Sequence, residues 1–374
     1  VSALQEQSHD SVLHIDLGAL VHNLNCFKAK IKPTTKLMVM VKAFGYGIGA
    51  PQVASILMFN KVDYLAVAYT DEGVALRKSG ISLPIMVMNP ERNSLPALIK
   101  FKLEPEIYSL RTLQLFAKAL QQSPGIGPYS VHLKIDTGMH RLGFEPHELE
   151  ALIQEIKRSS NIRIASIFTH LAATDNPALD DFTQRQLAIF DQSVQTILPH
   201  LDHVPLLHAL NTGGIQRFPN AQYDMVRLGV GLYGVSADKA EQSQLLPVNT
   251  LKTVISQIKE VQAGDSIGYN RAFIAPRAMR SATIPLGYAD GLRRQLSNGA
   301  GHVVIHGKKA PIVGNVCMDM TMVDVTDIDC AEGDSVEVFG QHQSIGAFAA
   351  SCGTIAYEVL TSISQRVKRI YTQD

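Results

Sequence analysis

The sequence predicts an α/β fold with an N-terminal (β/α)8 barrel of the TIM type over residues 12–246 and a mainly antiparallel β domain over residues 247–374. Up to about residue 240, short apolar strands alternate with amphipathic helical stretches, which is typical of a parallel sheet buried on both faces. After about residue 247, short β-rich runs separated by glycine, asparagine and aspartate replace the helical periods until Ile345. Residues 1–11 are polar and are expected to form a tail or linker.

The predicted barrel contains eight strand-and-helix units within about 200 residues, which is the number that closes a (β/α)8 barrel. The strand candidates are Lys36–Val41, Tyr64–Ala68, Pro84–Met88, Pro105–Tyr108, Val131–Ile135, Ile164–Phe168, Pro205–Ala209 and Asp224–Val226. The clearest helices are Asp71–Ser79, Leu110–Gln121, Glu145–Ser159 and Asp181–Leu198. A doubly wound open sheet is the alternative. Its first turn normally carries a G-x-G-x-x-G motif, and the glycines of Gly45-Tyr-Gly47-Ile-Gly49 lack that spacing.

The predicted β domain is built from short runs rich in β-branched and apolar residues. These runs are Thr253–Ile258, Ser281–Pro285, His302–Ile305, Pro311–Asp324 and Ser335–Phe339. Leu13–Leu17 is a further strand-like run, and we expect it to join this domain from the other end of the chain.

The composition argues against nucleic-acid and membrane partners. The 374 residues include 34 basic and 34 acidic side chains, with no basic run and no acidic tail. No apolar stretch approaches the roughly 20 residues of a membrane span. The four cysteines are scattered without the spacing of a metal site, so we expect no metal, free thiols and a reducing compartment. Because the chain begins with valine, we expect a processed product or a piece of a longer polypeptide.

Side chains able to take part in chemistry follow several predicted barrel strands. They are Lys42 after the first strand, Lys134 and Asp136 at the fifth, His170 after the sixth, Asn211 after the seventh and Arg227 at the eighth. The carboxyl ends of barrel strands lie on one face, where such enzymes carry their active sites. We therefore expect these side chains to meet.

Lys42 is the most informative of them. Apolar surroundings at a strand end favour the neutral amine and lower the lysine pKa, so that the amine can react with a carbonyl. The glycines that follow let the backbone approach a bound group, and the hydroxyl of Tyr46 can reach a phosphate oxygen. The segment favours a lysine that forms a Schiff base with pyridoxal phosphate. A solvated lysine at a strand end is the alternative for this segment taken alone.

Taken together, the motifs resemble the alanine racemase family, bacterial pyridoxal phosphate enzymes built from a barrel and a β domain. The resemblance extends from about Ile15 to Tyr371. The matching segments are Val41-Lys-Ala with Tyr46-Gly47, Leu133-Lys-Ile-Asp-Thr-Gly-Met-His-Arg-Leu-Gly143, Phe168-Thr-His170, His208-Ala-Leu-Asn211, Met225-Val-Arg-Leu-Gly229 with Tyr233-Gly234, Gly287-Tyr-Ala-Asp-Gly291, Val316-Cys-Met-Asp319 and Gly353-Thr-Ile-Ala-Tyr-Glu358. It implies a cytoplasmic bacterial isomerase that interconverts L-alanine and D-alanine and supplies D-alanine for the peptidoglycan of the cell wall.

The resemblance also implies two acid/base groups on opposite faces of the substrate Cα. Lys42 is one of them, and Tyr269 matches the second base of the family. An unperturbed tyrosine has a pKa near 10 and is a poor base at neutral pH, so a nearby cation must favour its phenolate. The resemblance places His170, Arg227 and Arg141 around it.

The other cofactor contacts are implied in the same way. Arg227 resembles the arginine that faces the pyridine nitrogen, which must then accept a hydrogen bond and makes the cofactor a weaker electron sink, as suits racemisation. The implied cofactor-binding residues are Lys42, Tyr46, Asn211, Thr212, Arg227, Gly229, Val230 and Tyr357. Thr212 stands where the family usually has serine, and Gly213-Gly214 opens a helix whose N-terminus favours an anion.

Arg141 resembles the arginine that binds the substrate carboxylate, and Lys134 lies seven residues earlier in the chain. Lys134 resembles a lysine that is often carbamylated in the family, and a carbamate would turn this cation into an anion able to orient Arg141. An unmodified Lys134 paired with Asp136 is the alternative that the sequence leaves open.

A homodimer with shared active sites is also implied. The second subunit would supply Tyr269, Met318 and Asp319, and Met318 would contact the substrate. Tyr288 resembles part of the narrow substrate entrance.

Several residues depart from the family pattern. Phe44, Gly45 and Ile48 replace a polar residue, an alanine and a histidine, so the hydrogen bonds behind the cofactor are expected to differ. Asn315 replaces a common arginine and is expected to alter the dimer contact or the entrance.

Three other functions compete with alanine racemisation. A racemase of broader specificity, for serine or other amino acids, is the closest of them, because pocket size cannot be read from the sequence. A decarboxylase of the same barrel type would normally place an acidic partner at the ring nitrogen, where this chain has Arg227. A non-catalytic pyridoxal phosphate carrier would lack the β domain and Tyr269.

Overall fold

The structure, a computed structural model, describes residues 10–373 with the exception of residues 124 and 126. All but two residues of the predicted N-terminal tail therefore lie outside the described residues. The chain forms two compact units. One unit consists of Val21–Gly45 and Gly49–Leu245, and the other of the residues up to Leu20, Tyr46–Ile48 and the residues from Leu246 onward.

The first unit contains a parallel barrel, which confirms the predicted fold class. The first strand of the chain, β1 (Val12–Asp16), belongs to the other unit. The strands of the first unit are β2 (Lys36–Met40), β3 (Tyr64–Val67), β4 (Ile85–Val87), β5 (Glu104–Ile107), β6 (Tyr129–Lys134), β7 (Ile162–Phe168), β8 (Leu206–His208) and β9 (Met225–Leu228). Strands β2 to β9 form one eight-stranded sheet in the order β8-β7-β6-β5-β4-β3-β2-β9. The Arg227 amide donates to the Leu210 carbonyl at 3.0 Å, which joins the two edges and nearly closes the barrel.

Amphipathic helices cover the barrel sheet. Within the described residues of this unit and the segment leading into it, the right-handed α-helices are Leu17–Lys28, Ala50–Phe59, Thr70–Lys78, Leu95–Lys100, Leu110–Gln121, Leu149–Arg158, Asp180–Ile197, Thr212–Arg217 and Lys239–Gln242. The Leu110–Gln121 helix shows how the local sequence favours these helices. Ser109 caps it by accepting from the Thr112 amide at 3.2 Å, and Leu113, Phe116 and Leu120 fall on one buried face at helical spacing. No helix of the described chain combines the length and the apolar character needed to cross a membrane.

The second unit is built around a nine-stranded sheet. Its remaining strands are β10 (Asn249–Val254), β11 (Gln257–Val261), β14 (Met279–Ile284), β15 (His302–Ile305), β16 (Lys308–Val313), β17 (Thr321–Asp324), β18 (Ser335–Phe339) and β19 (Lys368–Thr372), while β12 (Ser266–Ile267) and β13 (Phe273–Ile274) form a separate pair. The order is β11-β14-β17-β16-β15-β18-β10-β1-β19. β1 pairs antiparallel with β10 and parallel with β19, and the other neighbours are antiparallel. Helices Ile345–Ser351 and Ala356–Ser362 complete the unit.

Two predicted strands of this unit are wrong because each joins two strands that the structure separates. Residues 253–258 contain the end of β10 and the start of β11, which pair with different neighbours on either side of Ile255 and Ser256. Residues 311–324 contain β16 and β17, separated at Gly314. Gly314 adopts φ 70°, and a Cβ there would lie 2.8 Å from the Ile267 carbonyl oxygen, so a side chain would not fit at this turn.

Candidate active site

Lys42 lies just beyond the end of β2, where the Val41 amide still donates to the Ala66 carbonyl of β3 at 2.9 Å. Burial lowers the pKa of Lys42, and the charges of Arg141 and Lys134 lower it further, against the opposing effects of Glu72 and Glu106. The strand end thus favours a neutral amine.

The backbone after Lys42 makes a left-handed turn. Ala43, Phe44 and Gly45 have φ values of 53°, 56° and 61°, and the Gly45 amide donates to the Val41 carbonyl at 3.0 Å. The left-handed conformation costs roughly 1–2 kcal/mol for each residue that carries a Cβ, so Gly45 relieves one position of strain. The carboxylate of Glu72 accepts from the Ala43 amide at 2.6 Å and holds the turn at its first residue.

Arg227 is buried inside the barrel and is surrounded by acceptors. One Nη donates to the carbonyls of Thr169 and Ala209 at 2.7 and 2.8 Å, and the other donates to Nδ1 of His208 at 2.6 Å. Burial lowers the pKa of Arg227 to about 10, which leaves it a cation at neutral pH. Since a guanidinium only donates, His208 must present a lone pair at Nδ1.

This contact begins an interior hydrogen-bond chain that crosses three more strands. His208 Nε2 lies 2.9 Å from Ser166 Oγ, Ser166 Oγ lies 2.7 Å from His132 Nδ1, and His132 Nε2 lies 2.9 Å from a carboxylate oxygen of Glu104. The donor-only Arg227 at one end and the acceptor-only carboxylate at the other fix every proton between them. His208 and Ser166 each donate toward Glu104, and both imidazoles accept at Nδ1.

His170 lies next to Arg227, with Nδ1 3.4 Å from one Nη. Burial, and then the charges of Arg227, Arg141, Lys134 and Lys42, hold the pKa of His170 well below 6.5. The imidazole is therefore neutral at neutral pH. Arg227 is then the member of this neighbouring pair that carries a positive charge.

Asn211 and Thr212 lie where the Thr212–Arg217 helix begins, beside the segment after β9. Asn211 Oδ1 caps this helix by accepting from the Gly214 amide at 3.0 Å, and it also accepts from Thr174 Oγ1 at 2.7 Å. Thr212 Oγ1 accepts from the Gly229 amide at 3.0 Å, so the Gly229 N–H is directed at Thr212. The Thr212 hydroxyl keeps its own hydrogen for an anion.

Glycine at position 231 permits close packing beside the Thr212 side chain. A Cβ on Gly231 would lie 2.4 Å from the Phe27 ring and 2.7 Å from Thr212 Cγ2. Val230, one residue earlier, is buried. Thr212, Gly229 and Val230 therefore lie together, and their role at the phosphate stays a prediction.

Lys134 pairs with Glu106 and not with Asp136, the partner named in the alternative that the sequence left open. Lys134 Nζ lies 3.0 Å from Glu106 Oε1. Asp136 instead caps the loop that follows β6, where its Oδ1 accepts from the amides of Gly138 and His140 at 2.9 and 3.1 Å.

Glu106 is a charged residue at the active-site end that the sequence analysis missed. Its side chain is fully buried, and burial raises the pKa of its carboxyl to about 7 against the opposing charges of Lys134, Arg141 and Arg227. One feature of the sequence could have revealed Glu106. Glu104 and Glu106 alternate with Pro105 and Ile107 along a barrel strand, and this alternation directs both carboxylates to one face of the sheet.

Arg141 has an exposed side chain in the loop after β6, and its charge acts on Lys42, Glu106 and His170.

The second unit brings Tyr269, Met318 and Asp319 to one cleft of about 550 Å³. Tyr269 opens a 3₁₀ turn and is 70% exposed. Tyr288 lies beside this cleft, because its amide donates to the Cys317 carbonyl at 2.9 Å. Arg366 donates to Asp319 Oδ1 at 2.7 Å and holds this carboxylate in place.

Asn315, one of the departures from the family pattern, contacts the backbone of Tyr269. Its Nδ2 donates to the Tyr269 carbonyl at 3.3 Å, and its Oδ1 accepts from Asn298 at 3.3 Å. In this chain the asparagine therefore helps to position the turn that carries Tyr269.

Tyr46 and Tyr357, which also belong to the second unit, lie close together. Their ring centroids are 6.2 Å apart at an angle of 46°. Burial raises the pKa of Tyr46, which keeps its hydroxyl protonated and able to donate.

These side chains fit pyridoxal phosphate. Lys42 offers an amine with a lowered pKa for the aldehyde, Arg227 offers a donor-only group for the ring nitrogen, and Thr212 offers a hydroxyl for the phosphate. A decarboxylase of this barrel type would normally offer the ring nitrogen an acidic group, whereas Arg227 offers a donor-only cation.

Comparisons with known proteins agree with this chemistry. The family model for the N-terminal domain of alanine racemase matches residues 15–237, and the model for the C-terminal domain matches residues 248–371. Alanine racemase 2 of Oceanobacillus iheyensis is 36% identical over 381 residues, covering 98% of this chain and 95% of the relative. The alanine racemase of Sorangium cellulosum is 37% identical over 376 residues and covers 96% and 98%.

Solved structures give the same result. The alanine racemase of Clostridium difficile 630 is 35% identical and has a TM-score of 0.90, with 99% of this chain and 97% of that chain covered. The Bartonella henselae enzyme, solved with covalently bound pyridoxal phosphate, is 30% identical and has a TM-score of 0.89, with 98% and 100% covered. The chain belongs to the alanine racemase family, whose members are isomerases that depend on pyridoxal phosphate.

Proposed function

We propose that this chain interconverts L-alanine and D-alanine with pyridoxal phosphate, and that the D-alanine serves peptidoglycan synthesis in the cytoplasm of a bacterium. The observation that carries the proposal is Lys42, an amine of lowered pKa at the end of β2, in a chain that matches alanine racemases over nearly its full length. In this proposal residues 12–246 bind the cofactor, and residues 247–374 supply the second acid/base group.

Bound pyridoxal phosphate supplies the electron sink that makes the Cα proton of the amino acid removable. Lys42 would hold the cofactor aldehyde, and its amine would move a proton at one face of the substrate Cα. Tyr269 moves a proton at the opposite face, which inversion requires, because one base alone returns the proton to the side from which it came. Arg227 keeps its proton and so leaves the ring nitrogen as an acceptor.

Other residues bind and orient. Arg141 would hold the substrate carboxylate with a guanidinium, a geometry suited to bidentate contact. Tyr288 would line the substrate entrance, and Met318 of the second subunit would contact the substrate. The phosphate would be held by donors from Tyr46, Thr212, Val230 and Tyr357. The Gly229 amide, also assigned to the phosphate from the sequence, donates to Thr212 Oγ1 instead, and Asn211 would contact the cofactor.

We also propose a homodimer in which each site takes Tyr269, Met318 and Asp319 from the partner. Exposed apolar side chains in the second unit support this assembly, since Tyr269, Met318 and Met320 are 70%, 53% and 51% exposed. A cluster of exposed large apolar residues is typical of a protein–protein interface.

The test is racemisation itself. We expect purified protein with pyridoxal phosphate to remove the optical rotation of L-alanine, and borohydride to fix the cofactor to the peptide that contains Lys42. Lys42→Ala should lose both properties. L-serine and L-lysine are the specificity controls, and rotation that decays with L-serine but not with L-alanine would contradict the assigned substrate.

A further inference from the structure

Glu106 and Lys134 form a buried ion pair at a position where related enzymes often carry a modified lysine. The two side chains project from the neighbouring parallel strands β5 and β6, and Nζ lies 3.0 Å from Oε1. Glu106 is fully buried, and Lys134 is 4% exposed. A carboxylate encoded by the chain itself therefore already contacts this lysine.

This pair opposes carbamylation of Lys134. To form a carbamate, a neutral amine donates its lone pair to the carbon of carbon dioxide, an N–C bond forms, and a proton is released from the nitrogen. An ammonium group in contact with a carboxylate has no lone pair to donate. The product would also place a second anion next to Glu106 in a buried site, where like charges repel strongly.

We propose that Lys134 carries no carbamate in this protein and that the carboxylate of Glu106 supplies the negative charge in its place. Glu106 is then a positioning residue, which acts on the reacting groups through Lys134 and through its charge. The kinetic part of this inference rests on the proposed racemase function, whereas the absence of a carbamate does not.

The charges that face the pair show what Glu106 does. Lys134 faces it from β6, Arg141 from the following loop, Arg227 from β9, and Lys42 from the end of β2. At Lys42 the two members of the pair act in opposite directions, since Lys134 lowers its pKa and Glu106 raises it. Loss of Glu106 alone would leave Lys134 as an unbalanced buried cation, whose charge acts on Lys42 and His170.

The chemical test is ¹³C NMR of the holoenzyme equilibrated with ¹³C-bicarbonate. We expect no carbamate resonance from the wild-type protein. A resonance that is present in the wild type and absent from Lys134→Met would overturn the proposal. This readout does not require activity, so it remains decisive even where the wild type fails to racemise alanine, an outcome that would contradict the proposed function alone.

The kinetic test replaces the carboxylate. We expect Glu106→Gln, assayed at about pH 9 where the Glu106 carboxyl of the wild type is ionised, to lower kcat/KM for alanine about 10²-fold. The effect should come mainly through a higher KM, because Arg141 loses a nearby negative charge. Glu106→Asp keeps the charge and should recover most of the loss, within about tenfold of the wild type. Wild-type kcat/KM in Glu106→Gln would refute the positioning role.

Glu241→Gln is the matched control. Glu241 is also fully buried and pairs with a lysine, Lys30, at 2.8 Å in the same unit. The same chemical change there should reduce stability and leave the KM for alanine unchanged. If Glu106→Gln changes KM no more than Glu241→Gln does, Glu106 has a structural role only and the proposal fails.

Discussion

At the scale of single residues, the two proposed bases can be separated by isotope exchange. The enantiomers of alanine have equal free energy, so Tyr269→Phe must slow racemisation equally in both directions. We expect a loss beyond the usual 10²–10⁴-fold for an acid/base group, since no other base replaces Tyr269 on its face. By family resemblance Lys42 faces the proton of D-alanine, and it can still exchange that proton with solvent.

The measurement is deuterium incorporation at Cα in heavy water with the Tyr269→Phe protein. Incorporation into D-alanine should greatly outpace racemisation, whereas L-alanine should incorporate almost none. Equal rates for the two enantiomers, or a faster rate for L-alanine, would reverse the assignment of faces.

Glu106 also gives a prediction for stability against pH. Burial raises its pKa in the folded protein to about 7, above the ordinary value of 4.5, so folding favours the protonated form. The associated stability is present below pH 4.5 and is lost as the pH rises through about 7. Urea unfolding of wild type and Glu106→Gln should show the wild type losing on the order of 3 kcal/mol relative to the variant across this window. A difference that is independent of pH would contradict the raised pKa.

At the scale of structural elements, the interior hydrogen-bond chain ties Arg227 to four barrel strands. Ser166→Ala removes the only hydroxyl between the two imidazoles and leaves His208 Nε2–H and His132 Nδ1 without their partner. Each orphaned buried group costs about 1–3 kcal/mol. We expect the urea midpoint to fall for Ser166→Ala and to stay near that of the wild type for Ser166→Thr, which keeps a hydroxyl. Equal midpoints for wild type and Ser166→Ala would show that the chain contributes no net stability.

The same elements show how far the sequence could be interpreted. Short apolar runs that alternate with amphipathic helical stretches locate the barrel strands. The ends of those strands then place Lys42, Lys134, His170 and Arg227 on one face of the barrel, as predicted. Side-chain partners inside a barrel depend on register between strands that are distant in sequence. For this reason the pairing of Lys134 with Glu106 rather than Asp136 could not be predicted.

The backbone conformation of the turn after Lys42 could not be predicted from the sequence either. A run of residues with positive φ that includes Ala43 and Phe44 has no propensity signal, because local sterics oppose it and only the surrounding fold maintains it. The strand break at Ile255 and Ser256 was missed for a related reason, since the apolar run continues through it and only the pairing partners change. The break between β16 and β17 was signalled by Gly314 and by the scarcity of β-branched residues in 314–320, and the prediction overlooked it.

At the scale of the whole molecule, the proposed sites each need two chains, because Lys42 would come from one subunit and Tyr269 from its partner. Lys42→Ala and Tyr269→Phe homodimers should both be inactive. In a hybrid dimer one site carries both substitutions and the other carries neither. Random exchange makes half of the dimers hybrid, so an equal mixture should recover about a quarter of wild-type activity.

The measurement is racemisation of alanine before and after subunit exchange, with exchange itself followed by native mass spectrometry. The size of the recovery is diagnostic, because intact sites arise only when a base from each chain meets in one cleft. Dilution of the wild type through its dissociation constant should abolish activity for the same reason, and added partner carrying Lys42→Ala should restore part of it. Complete exchange without recovery would mean that Lys42 and Tyr269 of each site belong to one chain, and the exposed side chains of Tyr269, Met318 and Met320 would then need another explanation.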